Sequence, residues 1–513
     1  MNDYLALAGQ LIMVRLFGTE LDADTDTFLR QYKVRGACLF RQNMVDAAQL
    51  TRFTGALRAA MGPEALIALD QEGGAVVRST WVPAPPSAMA LGAANDPRLA
   101  REVGAAVARA VRALGFNWNF APVLDLNNNP HNPVIAERSF GADPDTATGI
   151  AMAWMEGSES EGVACCVKHF PGHGDTQVDS HRDLPTVDKP LAELERFEFA
   201  PFRIAAPKAS AVMTAHIVYP ALDPQFPATM SRPILTGILR ERFGYEGVII
   251  TDGMDMHAIA HRYGAGEAAV NALVAGADMV MAIGSRETQV ETVQAIAAAI
   301  RDGVLPLPEV EARLARLGKL AAAHPAGPAP DASGAPEREH DDRALMARAW
   351  RAGLTALGQP QRPPRGAPVR LVARADVVSD GVSESGVPAA AIAAALGRLY
   401  QVELVTFADA ETFDWSALPQ DGRFTILAST SRRRYGPHAR ATWRPDLHVA
   451  LWNPYQALDF DAPALMTYGF AAPAVDAVIA WLAGEIEAPG CCPVPGFSGN
   501  PMPTCVEASG NGM

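Results

Sequence analysis

Residues 162–185 read GVACCVKHFPGHGDTQVDSHRDLP, a short apolar run followed directly by a long polar one. The first part, GVACCV, is partly β-branched and is typical of a buried strand. Pro171, Gly172 and Gly174 exclude a helix after it, so the polar residues form a loop that leaves the end of this strand. Three histidines, three aspartates and a lysine lie within residues 168–185. Catalytic groups collect on such loops, because a rigid scaffold fixes where the loop begins.

Apolar runs of this kind occur eight times in the first part of the chain. They are LIMVRL from residue 11, GACLF from 36, ALIALD from 65, FNWNFAPVLDL from 116, GVACCVKHF from 162, SAVMTAHIVYP from 210, GVIITD from 247 and ADMVMAI from 277. Segments with helical periodicity lie between them, for example residues 46–62 and 96–115. Eight alternations of strand and helix predict a (β/α)8 TIM barrel. A doubly wound open sheet is the alternative, but no GxGxxG fingerprint follows the first strand.

A change of composition divides the chain into two domains. Residues 323–342, AHPAGPAPDASGAPEREHDD, are rich in Pro, Ala and Gly and predict a linker after a barrel domain over 1–322. The runs PVRLVA, QVELVTFA, RFTILAS and LHVALWN then predict a smaller α/β domain of the sandwich type over 343–488. Residues 489–513 are predicted to be an irregular tail.

Composition restricts the partners and the compartment. The chain has 43 Lys and Arg against 57 Asp and Glu, a net charge of −14, which argues against nucleic acid or an anionic membrane as a partner. The first residues, MNDYLALAGQLIMVRLFG, lack the pattern of a signal peptide. Six cysteines in 513 residues do not suggest a disulfide framework. We therefore expect a cytoplasmic protein.

Polar residues follow five of the predicted barrel strands. They are Asp70, Asp125, Lys168 with His169, His216 and Asp252. The carboxyl ends of all strands meet on one face of a TIM barrel, and that face carries the chemistry. One such residue alone could belong to a solvated loop, but five strand ends together predict one active site.

Five longer motifs occur in order through the predicted barrel. They are LDQEGGAVVR (69–78), AERSFG (136–141), KHFPGHGDTQVDSH (168–181), MTAHIVYP (213–220) and ITDGMDM (250–256). Together they resemble the β-N-acetylglucosaminidases of glycoside hydrolase family 3. In the second domain, NPYQ (453–456) and TYGF (467–470) are similar to the two-domain members of that family.

The resemblance implies a nucleophile at Asp252 and an acid/base at His181, held by Asp179. A carboxylate can attack the anomeric carbon and form a covalent intermediate, which leads to retention of configuration. A histidine titrates near neutral pH, so it can protonate the leaving oxygen and later deprotonate a water. The simpler interpretation of Asp252 is a helix N-cap. Asp255 is the nearest wrong choice of nucleophile.

The resemblance also implies a set of substrate contacts. They are Asp70, Arg78, Arg138, Lys168 and His169. Charged donors and acceptors make short, strong hydrogen bonds to sugar hydroxyls. Alternatively, Asp70 pairs with Arg78 or Lys168 as a buried ion pair, and both roles are compatible. Glu72 is interpreted as structural.

The loop after residue 167 could instead bind a metal ion. Its candidate ligands are His169, His173, Asp175, Asp179 and His181. A spacing of four places two histidines on one face only in a helix, which Pro171 excludes here. Catalytic zinc is therefore disfavoured, no cofactor is implied, and His173 and Asp175 are expected to brace the loop. The run RRR at 432–434 is interpreted as a solvated loop rather than an anion site.

Together with these observations, the resemblance implies a retaining exo-β-N-acetylglucosaminidase. The substrates that the resemblance implies are small carbohydrates with a terminal β-linked GlcNAc, such as muropeptides or chitooligosaccharides, and the expected role is peptidoglycan recycling. A β-N-acetylglucosaminide phosphorylase with the same site is the first alternative. A broader β-glucosidase and a non-catalytic sugar sensor are the others, although an intact nucleophile argues against the sensor.

Overall fold

The computed structural model describes residues 3–177, 183–327, 335–376, 379, 383 and 386–497. Its first part is a closed barrel of eight parallel strands, in which each strand pairs with the next and the last pairs with the first. The strands are β1 Ile12–Arg15, β2 Gly36–Cys38, β3 Leu66–Leu69, β4 Trp118–Asn119, β5 Ala164–Phe170, β6 Ala211–Thr214, β7 Val248–Gly253 and β8 Met279–Ala282. The predicted barrel is confirmed.

Helices surround the barrel. They are α1 Tyr4–Gly9, α2 Ala23–Tyr32, α3 Ala47–Met61, α4 Ala88–Ala94, α5 Pro97–Ala113, α6 Pro144–Ser160, α7 Leu191–Arg196, α8 Phe199–Ala205, α9 His257–Ala260, α10 Ala265–Ala275, α11 Arg286–Arg301 and α12 Leu307–Ala323, with a wider helix at Pro233–Arg242. The side chains of Asp22, Asp46 and Asp96 accept hydrogen bonds from the first turns of α2, α3 and α5, which satisfies backbone N–H groups that a helix start leaves unpaired.

The barrel strands are almost entirely apolar because helices cover their outer faces. All seven residues of β5 are buried, as are all four of β3. The fourth strand is regular only over Trp118–Asn119, which is shorter than predicted. Pro122, in the same run, has no N–H to donate to a strand ladder, and pairing resumes as a single bridge between Val123 and Lys168.

The second domain is a six-stranded sheet in the order β11-β10-β12-β13-β14-β9, parallel except for the edge strand β9. Its strands are β9 Thr355–Leu357, β10 Pro368–Arg374, β11 Gln401–Phe407, β12 Phe424–Ser429, β13 Leu447–Ala450 and β14 Ala464–Met466, and its helices are α13 Ala335–Gly353, α14 Ala389–Leu396, α15 Pro437–Thr442 and α16 Ala472–Leu482. The predicted α/β class is confirmed. Strands β9 and β14 are not predicted from the sequence, since three residues are too few to display a period.

The domain boundary differs from the predicted linker at 323–342. Helix α12 ends at Ala323 and α13 already begins at Ala335, so residues 335–342 are helical. This helix lies against the barrel: Arg109 Nε donates to Asp342 Oδ2 over 3.2 Å, and Trp350 Nε1 donates to the carbonyl oxygen of Ala84 over 3.1 Å. Packing on the barrel stabilises a helix whose own sequence has a weak apolar face.

The chain after Pro489 is irregular; it packs on the barrel at Cys491 and Pro493, and Phe497 packs on Tyr455 of the second domain. The N–H of Cys491 donates to the carbonyl oxygen of Ala93 over 3.0 Å, and that of Ala142 donates to Pro493 over 3.0 Å. Residues 498–513 lie outside the described residues. Among the described helices, none combines the length and the apolar character needed to span a membrane.

Candidate active site

A cavity of about 400 Å³ lies at the carboxyl ends of the barrel strands. This volume is within the range of small-molecule sites. The predicted site residues that line it are Asp70, Arg78, Arg138, Lys168, His169 and Asp252. The predicted acid/base His181 and its partner Asp179 lie outside the described residues.

Lys168 joins two carboxylates at the cavity floor. Its Nζ lies 2.7 Å from Asp70 Oδ1 and 2.7 Å from Glu72 Oε1, and its side chain is only 2% exposed. Burial opposes the charge on each group, but the opposite charges outweigh it: they raise the pKa of Lys168 and lower those of Asp70 and Glu72. Arg78 Nη2 adds a longer contact of 3.5 Å to Asp70 Oδ2. Lys168, Asp70 and Glu72 are therefore charged at neutral pH.

Arg138 makes two hydrogen bonds to Glu72. Its Nε donates to Oε2 and its Nη2 donates to Oε1, each over 2.8 Å. This bidentate geometry fixes the plane of the guanidinium. Glu72 thus holds two of the predicted substrate-binding residues and itself lines the cavity. From the sequence alone, Glu72 is interpreted as structural. Alternation along an extended chain places residues two apart on one side, so its position two after Asp70 was the available signal.

His169 is oriented from behind by Asp125. Its Nδ1 lies 2.6 Å from Asp125 Oδ2, and Asp125 Oδ1 accepts the backbone N–H groups of His169 and His173 over 3.2 and 2.6 Å. Burial opposes the charge of Asp125, but His169 and these hydrogen bonds lower its pKa. Because the carboxylate of Asp125 can only accept, Nδ1 of His169 carries the hydrogen and donates it. The other ring nitrogen, Nε2, faces Arg138 and lies 3.5 Å from its Nη2. Asp125 positions His169 and does not line the cavity.

The loop that follows β5 is braced internally. His173 Nδ1 lies 2.8 Å from Thr176 Oγ1, and Asn132 Nδ2 donates to the carbonyl oxygen of His173 over 2.9 Å. Lys189 Nζ pairs with Asp175 Oδ2 at 2.8 Å. Burial, reinforced by His169, lowers the pKa of His173 to about 4, so this ring is neutral at pH 7. Within the residues that the structure describes, no group of three or more His, Cys, Asp or Glu side chains is arranged to hold a metal ion.

Asp252 reaches the cavity from the end of β7. It is partly exposed, and its Oδ1 accepts the N–H of Gly253 over 2.7 Å. His216 supports this strand end, because its Nε2 lies 3.0 Å from the carbonyl oxygen of Gly253. Asp252 does not cap the following helix α9, whose N-cap position is Met256. Asp255 also lines the cavity and is exposed.

Residues 7–320 match the family model described as "Glycosyl hydrolase family 3 N terminal domain". The chain belongs to glycosyl hydrolase family 3. The expected family is confirmed, and with it the enzyme class of glycoside hydrolase.

Two curated relatives of this family 3 enzyme carry the name β-hexosaminidase. The protein of Alkalilimnicola ehrlichii is 36% identical over 315 residues, which cover 60% of this chain and 88% of that protein. β-Hexosaminidase A of Pseudoalteromonas piscicida is 37% identical over 286 residues, 51% of this chain and 48% of that protein, so the match spans about half of its length. Among solved structures, the family 3 β-N-acetylglucosaminidase from Paenibacillus sp. str. FPU-7 has a TM-score of 0.86 and 30% identity, over 96% of this chain and 99% of that one.

One wall of the cavity in this family 3 enzyme was not predicted from sequence. Arg15, at the end of β1, lines it together with Phe40 and Gln42 from beyond β2. The guanidinium of Arg15 lies 5.6 and 5.7 Å from the ring centres of Phe17 and Phe40. These residues also follow barrel strands, so the rule that identified Asp70 and Asp252 applies to them. None of Arg15, Phe40 and Gln42 belongs to one of the five motifs, so the sequence offers no further reason to select them.

Proposed function

We propose that this chain is a retaining exo-β-N-acetylglucosaminidase with Asp252 as its nucleophile. The observation that carries the proposal is that Asp252 shares one cavity with the network of Asp70, Glu72, Arg138 and Lys168. Such a network offers both donors and acceptors to sugar hydroxyls. The substrate class is transferred from the β-hexosaminidases and the β-N-acetylglucosaminidase to which the chain is similar.

In the first chemical step, a carboxylate oxygen of Asp252 attacks the anomeric carbon. A bond forms between them while the bond to the leaving oxygen breaks, and the leaving oxygen takes a proton from the general acid. In the second step the group that served as general acid acts as a base and removes a proton from water. The water oxygen attacks the anomeric carbon, and the bond between that carbon and Asp252 breaks. Two displacements at one carbon give net retention.

We assign the proton transfers to His181 and its orientation to Asp179. Both residues lie outside the described residues, and the assignment rests on the motif KHFPGHGDTQVDSH. The described residues on either side are consistent with it. On one side, His173 lines the cavity after β5. On the other side, Asp183 Oδ1 lies 3.5 Å from Arg262 Nη2. Arg262 lies just beyond α9, the helix that follows Asp252 at the end of β7.

The charged network is suited to binding the sugar because it is held in place before the sugar arrives. Lys168 and Arg138 are fixed by carboxylates, and His169 is fixed by Asp125. Groups that are already oriented lose little entropy when they bind, so more of their interaction energy is available to the transition state. Asp70 retains some exposure, 15% of its side chain, and can accept hydrogen bonds from hydroxyls.

The cellular part of the proposal is the removal of terminal GlcNAc from muropeptides or chitooligosaccharides during peptidoglycan recycling in the cytoplasm. A phosphorylase and a β-glucosidase remain the competing activities, because a change of acceptor or of sugar would leave Asp252 and its neighbours in the same roles.

The deciding experiment measures p-nitrophenol release from the β-GlcNAc and β-glucose glycosides, with and without phosphate, by the wild type and Asp252→Asn. We expect the wild type to hydrolyse the β-GlcNAc glycoside and not the β-glucose glycoside, at a rate that does not depend on phosphate. We expect Asp252→Asn to release no p-nitrophenol. Phosphate-dependent formation of a sugar 1-phosphate would replace the hydrolase with a phosphorylase. A preference for the glucoside would make the enzyme a β-glucosidase. Binding without any release would indicate a sensor.

A further inference from the structure

The run Arg432–Arg434 is not the solvated loop that its composition predicts. It follows the carboxyl end of β12, and the side chain of Arg432 is only 6% exposed. Arg434 pairs with the buried Asp459 at 2.5 Å. Of the three arginines, only Arg433 is exposed. The expected solvated run is therefore corrected: two of its side chains leave water to make specific contacts.

Arg432 crosses from the second domain into the barrel. Its Nη2 lies 3.1 Å from Glu137 Oε1, and the side chain of Glu137 is 1% exposed. The same nitrogen donates to Ser383 Oγ, and the guanidinium lies 5.1 Å from the ring centre of Trp452. Among the described residues, Arg432 is the only ion-pair partner of Glu137.

The NPYQ motif holds the loop that carries Arg432. Asn453 Nδ2 donates to the carbonyl oxygen of Arg432 over 2.6 Å, and Gln456 Nε2 donates to that of Arg433 over 2.7 Å. Asn453 Oδ1 also accepts the N–H of Tyr455 over 2.9 Å, which fixes the motif itself. A motif that the proposed chemistry does not use therefore holds the backbone from which Arg432 reaches the barrel.

Glu137 and Arg138 are neighbours that face opposite ways. Both lie in the single helical turn Ala136–Arg138, in which Ala136 adopts a φ of +40°, a conformation that is unfavourable for alanine and needs support from its surroundings. Glu137 is turned to the second domain, whereas Arg138 lines the cavity and grips Glu72.

We propose that Arg432 of the second domain is a positioning residue for the substrate-binding Arg138, acting through the buried ion pair with Glu137. Without Arg432, Glu137 would be a buried carboxylate with no charged partner, and the turn would move to bring it to water. Arg138 would move with it. A displacement of about 1 Å in a positioning group can lower the rate on the order of a hundred-fold. The inference rests on the proposed function only in taking Arg138 as a substrate contact.

The test compares Arg432→Met with Arg370→Met in the full-length enzyme. Arg370 is a matched control, because its side chain is 3% exposed and paired with Glu403 and Asp421 within the second domain. We expect both variants to melt at lower temperatures. Arg432→Met should also lower kcat/KM for the p-nitrophenyl glycoside by roughly ten- to a hundred-fold, whereas Arg370→Met should leave it within about twofold of the wild type. Arg432→Lys should restore part of the activity.

A double-mutant cycle separates positioning from a general loss of stability. If Arg432 acts through Arg138, Arg432→Met should have little further effect on kcat/KM once Arg138→Met is present. The same factor of loss in both backgrounds would overturn the proposal, as would equal losses of activity in Arg432→Met and Arg370→Met. If Arg432→Met does not fold, Glu137→Gln, which also removes the ion pair while keeping a side chain of the same size, takes its place in the cycle.

The outcome is distinguishable from a failure of the proposed function. The cycle uses whichever aryl glycoside the wild type turns over, with phosphate if phosphate is needed. A wild type that prefers glucose, or that transfers the sugar to phosphate, would correct the proposed function and leave the test of Arg432 intact. A wild type that releases no p-nitrophenol from either glycoside would refute the inference together with the function.

Discussion

Lys168 Nζ lies 2.7 Å from Asp70 Oδ1, although 98 positions separate the two residues along the chain. Lys168 belongs to β5 and Asp70 directly follows β3, so the closure of the barrel brings them together. Glu72 provides the second contact of Lys168 at the same distance, 2.7 Å. Lys168 is thus the cation that the two carboxylates share, while Arg78 also contacts Asp70 and Arg138 also contacts Glu72.

Replacing Lys168 with Met should destabilise the protein by about 3–5 kcal/mol at pH 7, because Asp70 and Glu72 would remain buried as like charges without their shared cation. The pKa values of both carboxyl groups are lowered in the folded wild type, so their stabilising effect is present at neutral pH and is lost as the pH falls below their unfolded values. In the variant, protonation at low pH would instead relieve repulsion.

Urea unfolding at pH 7 and at pH 4 checks this expectation. The difference in free energy of unfolding between Lys168→Met and the wild type should be smaller at pH 4. Equal differences at the two pH values would show that packing, and not charge, accounts for the loss.

Asp252→Asn should lower kcat/KM by roughly three orders of magnitude or more, as the loss of a nucleophile does. Asp255→Asn is the matched control, since Asp255 lines the same cavity three residues later. It should lose far less activity. Azide should restore turnover of Asp252→Gly and yield the α-glycosyl azide, because azide enters from the face that the carboxylate occupied. Rescue of an Asp255→Gly variant instead would reassign the nucleophile.

Helices α5 and α6 approach closely at glycine. A Cβ added to Gly104 would lie 2.1 Å from the carbonyl oxygen of Trp154, so Gly104→Ala should cost about 1–3 kcal/mol of stability through overpacking. Gly55 in α3 is the control, because a Cβ there meets nothing within 4 Å. Gly55→Ala should raise stability by about 0.5–1 kcal/mol through helix propensity. Thermal unfolding of the two variants should show shifts of opposite sign; shifts of the same sign would contradict the close approach.

His448 should make the second domain sensitive to acid. Burial lowers its pKa from 6.5 to about 3, while its Nε2 lies 2.6 Å from Ser429 Oγ. Between these two pH values the unfolded chain binds a proton that the folded domain does not, so stability falls as the pH falls, by about 1.4 kcal/mol for each pH unit. His448→Gln should flatten this dependence in denaturant titrations from pH 7 to pH 4. An unchanged slope would place the acid sensitivity elsewhere.

A change at an exposed histidine provides the comparison for that experiment. His438 lies in α15 of the same domain and is exposed. His438→Gln should alter the slope less than His448→Gln, because folding does not remove an exposed ring from water.

Local patterns were enough to predict the barrel and several of the residues that line its cavity. Each barrel strand is a short apolar run, and this pattern is visible without any knowledge of its neighbours. Because parallel strands in a barrel end on one face, Asp70, Lys168 and Asp252 could be predicted to lie near one another from their places after those runs. All three residues line the cavity at the carboxyl ends of the strands.

Contacts between distant parts of the chain were beyond such patterns. The bidentate hydrogen bonds of Arg138 to Glu72 depend on how two loops meet at the carboxyl ends of the barrel strands. The burial of Arg432 depends on how the second domain packs on the barrel. A run of three arginines is typical of a solvated loop, and the ion pair that Arg432 makes with Glu137 of the other domain cannot be read from that run.

The sequence by itself determined the strand and helix order, the family resemblance and the residues available for chemistry, because periodicity and motifs are properties of short stretches. Only the tertiary structure decided which charges neutralise one another, that Asp125 and Glu137 lie outside the cavity, and that helix α13 joins the two domains. Those outcomes depend on the closing of the barrel and on docking, which set distances between atoms that lie far apart along the chain.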